Sequence, residues 1–147
     1  MSTLPPPTDV SDLLDPRRTL GPICAEMLRV GRLCVGRPDR YADEVDEVYT
    51  RAVEWIGELS VLGLNLHQAL DPGGLPVDVG VLTHSGEAEL ALDEWRVLCL
   101  SGQKPSRAHS GFLLAQHGLK ERLDELVETW TAACTTGSSS AGSKWLG

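Results

Sequence analysis

No stretch of this 147-residue chain reaches the roughly 18 consecutive apolar residues that a membrane-crossing helix requires. The opening residues, Met1 to Pro7, have neither the basic n-region nor the apolar h-region of a secretory signal. A cytoplasmic location is therefore expected, or a place inside an assembly such as a virion built in the cytoplasm. Basic charge is also scarce: 13 Lys and Arg stand against 21 Asp and Glu, for a net charge of -8. That balance disfavours non-specific nucleic-acid binding, which depends on neutralising phosphates. A helix-turn-helix reading of residues 104–126 would use Arg107, Lys120 and Arg122 as phosphate contacts. Glu121, Asp124, Glu125 and Glu128 on the same segment would repel DNA.

Motifs of catalysis and cofactor binding are missing as well. Neither GxxxxGK[ST] nor GxGxxG occurs, and the only adjacent glycines, Gly73-Gly74, read as punctuation after a helix. The residues three before His67, His84, His109 and His117 are Leu64, Val81, Ser106 and Leu114, so neither HExxH nor the Glu-x-x-His pair of di-iron bundles is present. His-Ser-Gly appears at His84 and at His109, each time before a helical stretch, where serine serves most simply as a helix cap. Cys24, Cys34, Cys99 and Cys134 form no CxxC and lie singly within apolar stretches, as buried free thiols do. No catalytic residue, no metal and no cofactor is expected.

Helical periodicity is abundant. From Tyr41 the apolar residues recur at steps of four and three through Val45, Val48, Ala52, Trp55, Leu59, Leu62, Leu66 and Ala69. That seam predicts one long helix over residues 38–70, stopped by Asp71-Pro72-Gly73-Gly74 and packed lengthwise on other helices. Asp43, Glu44, Asp46, Glu47, Glu54 and Glu58 fall on its wet flank. Leu59 to Leu66 is apolar nearly all round, so this half is buried on several sides or meets a partner. Gly63 there predicts a kink or a close helix contact.

The same spacing predicts a helix over residues 21–35, with Ile23, Met27, Val30 and Cys34 inward, closed by Gly36. Further helices are predicted over 86–100, capped by Ser85, and over 106–134, with a possible break at Gly118. A short helix over 9–15 completes the set. The fold class is thus all-α: four to five helices in a bundle-like domain over residues 9–134, with a proline-rich arm over 1–8 and a Gly/Ser tether over 135–147.

Two segments fall outside the helical pattern and read as contacts with other chains. Val77, Val79 and Val81 alternate with Asp78 and Gly80, which is a strand period over residues 77–81. A lone strand has unpaired backbone groups, so this segment is a plain loop or pairs with a neighbour. Trp145 and Leu146, beside Lys144, end a tether of small polar residues and suit an interface anchor. Arg17, Arg18, Arg29, Arg32, Arg37 and Arg40 lie toward the amino end, away from the acids of 43–58, 87–94 and 121–128, a polarity that suits contacts between copies. The expected function is a non-enzymatic assembly subunit with protein partners, a homo-oligomer or part of a larger structure. By architectural analogy it is a bacteriophage head–tail connector. The alternative is a helical regulatory protein binding a partner protein or nucleic acid.

Overall fold

The computed structural model describes residues 20–138, which form four α-helices and one 3-10 turn. Helix α1 is Leu20–Cys34, with Ile23, Met27, Val30 and Cys34 inward. It ends at Gly36, whose φ of 73° lies in the left-handed region that favours glycine. The 3-10 turn Pro38–Arg40 and the long helix α2, Ala42–Leu70, follow. The helix predicted over 38–70 thus begins with a separate tight turn, because Tyr41 leaves the helical region at φ -119°, ψ 13° and its N–H bonds back to the Pro38 carbonyl at 3.3 Å.

Helix α3 is Val79–Leu100, which corrects two expectations at once. Residues 77–81 are not a strand, and the helix starts seven residues before Gly86. Asp78 decides this: its carboxylate Oδ1 accepts from the Val81 N–H at 2.9 Å, and its carbonyl accepts from the Leu82 N–H at 3.0 Å. An N-cap of this kind satisfies a first-turn donor and commits the chain to helix. Ser85 is therefore no cap but a buried residue inside the helix, and Ser110 likewise lies inside α4. Helix α4, Ser106–Ser138, passes Gly118 without a break and continues four residues beyond the predicted end at 134 into the expected tether. The arm over 1–8, the helix over 9–15 and the residues Lys144, Trp145 and Leu146 lie outside the described residues.

The helices run up-down-up-down. Arg29 meets Glu44 between α1 and α2; Asp46 meets Arg96 and Tyr49 meets Asp93 between α2 and α3. Gly118 lies under the His84 ring, and Gly111 beside Ala91, between α3 and α4. A common core joins all four helices, with Trp95, Phe112, Met27, Ile56 and Leu66 fully enclosed. Gly63 is the close contact expected of it: a Cβ there would meet Val81 at 2.7 Å and Leu123 at 2.8 Å. At the opposite end of α3 the Gly36 N–H donates to the Gly102 carbonyl at 3.0 Å, and Gly102 also has a φ of 73°. The ends of α1 and α3 are thereby locked together.

Candidate functional site

The most buried charged group among the described residues is Asp78, 2% exposed at the start of α3. Besides capping the helix, it takes a forked contact from Arg122 on α4. Arg122 Nη2 donates to Oδ2 at 2.6 Å, and Nε lies 3.1 and 3.2 Å from the two carboxylate oxygens. His67, near the end of α2, places Nδ1 3.2 Å from the same Oδ2 and Nε2 3.0 Å from the Leu75 carbonyl. Arg122 holds the Asp78 carboxyl well below its usual range, down to about 2, aided by the Val81 N–H and opposed by burial. A carboxylate fully occupied in this way has no lone pair aimed at a reactant. Its chemistry is that of a latch, which fixes the loop over 71–78 to the end of α2, the start of α3 and the middle of α4.

The cysteines divide. Cys34 and Cys99 are buried close to each other where α1 and α3 end. Burial pushes the Cys99 thiol up to about 12 and the partly covered Cys24 up to about 11, so both stay protonated and unreactive. Cys134 departs from expectation. It lies exposed on the outer side of α4, beyond the last buried leucine, Leu126. Among the described residues no three of His, Cys, Asp and Glu converge closely enough to hold a metal ion.

The three valines expected to pair with a neighbour are dispersed by the helix. Val77 is half-buried in the loop, Val81 is fully buried in the core, and Val79 points outward at 65% exposed. Residues two apart on a helix lie about 200° around the axis. An edge formed by all three is therefore excluded, and only Val79 offers a surface.

Val79 belongs to a stripe that the sequence reading missed. On α3 the inward positions Val81, Ala88, Leu92, Trp95 and Cys99 leave over a second set, Val79, Leu82, Leu90 and Val97. At about 100° per residue these four fall within an arc of about 80°, facing away from the core. Leu90 is 72% exposed and Val97 59%. The contacts of Gly111 with Ala91 and of Gly118 with His84 put Leu114, 75% exposed, level with Glu87 and Ala88 on the neighbouring helix. The signal was present in the i, i+11, i+18 spacing of Val79, Leu90 and Val97. The strand reading of 77–81 concealed it by assigning Val79 elsewhere. No family model, no curated protein and no solved structure matches this chain.

Proposed function

We propose that the chain is a non-enzymatic assembly subunit that associates with a second copy through the outer stripe of α3. The observation that carries this reading is a helix apolar on two sides, of which its own bundle covers one. The stripe is self-complementary about its centre. A two-fold axis passing residue 88 of two antiparallel α3 helices sets Val79 opposite Val97 and Leu90 opposite Gly86, so a large side chain meets a gap, while Leu82, at the edge of the stripe, falls opposite Glu94. The run from Val79 to Val97 spans about 27 Å at 1.5 Å per residue. Leu114 widens it at mid-length.

In the larger form of this reading, dimers are built into a connector such as the neck of a bacteriophage particle, with Lys144, Trp145 and Leu146 reaching a neighbour. Native mass spectrometry of the full chain tests the first step. A dimer is expected, and Leu90→Asp should convert it to monomer with helical content unchanged, because a carboxylate pair would be trapped at the centre of the contact. A wild-type monomer at all concentrations, or a dimer indifferent to Leu90→Asp and Val97→Asp, sinks the proposal.

A further inference from the structure

A cleft of about 270 Å³ opens between α1, α3 and the start of α4. Its apolar wall is Met27, Leu28, Val35, Trp95 and Pro105, and its polar edge is Arg32, Lys104, Ser106 and His109. In a chain with a net charge of -8, this lining holds two cations and no acid. The helix α4 begins here with Ser106, so the N–H groups of its first turn, which have no intrahelical acceptors, add partial positive charge at the same edge.

Trp95 is fully buried, and its indole N–H meets no hydrogen-bond acceptor. That nitrogen faces Gly31: a Cβ on Gly31 would lie 3.5 Å from it and 2.8 Å from Pro105 Cγ, and all three residues line the cleft. The space between Gly31 and Pro105 is too tight for even a methyl group, so this nitrogen is sealed beneath the cleft, buried without an acceptor as those of Trp55 and Trp130 are, and the Trp95 ring supplies apolar floor and no donor. His109 is held by a bond between Nε2 and the Cys24 carbonyl at 3.2 Å; since a carbonyl only accepts, Nε2 carries the proton, and the bond ties α4 to α1 beside the cleft.

We propose that this cleft binds a small amphipathic carboxylate. Lys104, Arg32 and the first turn of α4 hold the head group. The hydrocarbon body lies on Met27, Leu28 and Val35. Pockets for small molecules commonly measure roughly 300–1,000 Å³, so this cleft sits at the small end. A straight-chain acid of about eight carbons is a suitable probe at that scale. The site is separate from the outer stripe of α3 and does not depend on the assembly reading.

Calorimetric titration of the full chain with sodium octanoate, 1-octanol and sodium acetate tests this. Saturable octanoate binding at one site per chain is expected, about ten-fold or more tighter than either of the others, since each lacks one half of the recognised chemistry. Arg32→Gln with Lys104→Gln removes two exposed charges and should weaken octanoate about ten-fold while leaving the melting temperature unchanged. Octanol binding as tightly as octanoate, acetate matching it, undiminished binding by the double variant, or no saturable heat at millimolar octanoate would each overturn the proposal.

Discussion

The two faces of α3 are made of the same kinds of residue and have opposite fates. Inward, Val81, Leu92 and Trp95 are sealed among α1, α2 and α4; outward, Val79, Leu90 and Val97 are left to solvent. Apolar content and helical periodicity are therefore enough to say that a face seeks cover, and not what covers it. The inner stripe is recognised by its match to the seams of α2 and α4, which supply the complementary surface within the same chain. The outer stripe has no counterpart among the described residues, and only its internal symmetry argues for a second copy.

The sharpest way to break this comparison is to truncate one leucine from each face. Leu92→Ala, at a fully buried position, should cost about 3 kcal/mol of stability, through lost transfer energy and the cavity left behind. Leu90→Ala, two residues away, should change the stability of the dilute monomer by less than about 0.5 kcal/mol, because little of that side chain leaves water on folding. Urea unfolding at submicromolar and at high protein concentration separates the terms. At high concentration Leu90→Ala should lose stability that the dilute protein never had. Equal losses for both variants in dilute solution would mean that the outer face is covered from within.

A somewhat smaller effect is expected where the two faces begin. Asp78→Ala removes the cap of α3 and leaves the Arg122 guanidinium without its carboxylate, for a cost of about 2–3 kcal/mol. Asp78→Asn should cost less, since asparagine still caps. Its diagnostic consequence is in the pH dependence. The carboxyl titrates at about 2 in the folded chain against an ordinary 3.8, so its contribution is complete above about pH 4 and is lost as the pH falls toward 2. That contribution is on the order of 2 kcal/mol. Stability measured between pH 5 and pH 2 should fall more steeply for the natural chain than for Asp78→Asn. Parallel curves would show that the latch is not ionic.

Most of the bundle was legible because a helical seam is a local, repeated signal. Val45, Val48, Ala52, Leu59, Leu62 and Leu66 on α2, and Phe112, Leu119, Leu123 and Leu126 on α4, are buried as their spacing demands. Residues 77–81 were misread because five residues cannot distinguish a strand period from two sides of a helix, and the deciding interaction joins Asp78 to Arg122, 44 residues away. The Cys34–Cys99 contact and the cleft at Trp95 share that cause. Each is formed where ends of different helices meet, at sequence separations that no periodicity encodes. Cys134 was misplaced for the opposite reason: apolar neighbours in sequence do not guarantee a facing helix so near the end of α4.

The finest contrast lies within α2, between two glycines six residues apart. Both are expected to weaken a helix by about 1 kcal/mol relative to alanine. At Gly57 an added Cβ meets nothing within 4 Å, so Gly57→Ala should stabilise the protein by about 0.5–1 kcal/mol. At Gly63 the same methyl would press on both Val81 Cγ atoms, at 2.7 and 3.0 Å, and on Leu123 Cδ2 at 2.8 Å. Val81 is β-branched and fully enclosed, so it has no free rotamer into which to retreat. Overpacking of this kind costs about 1–3 kcal/mol, which exceeds the helical gain, and Gly63→Ala should be net destabilising by about 1 kcal/mol. Denaturant midpoints of the two variants should therefore move in opposite directions from the natural chain. The double variant should fall near their sum, since the two sites share no neighbour. If Gly63→Ala stabilises as much as Gly57→Ala does, then α2 does not approach α3 and α4 as closely as the Gly63 contacts require, and the inner face of α3 loses the tight seam that distinguishes it from the outer one.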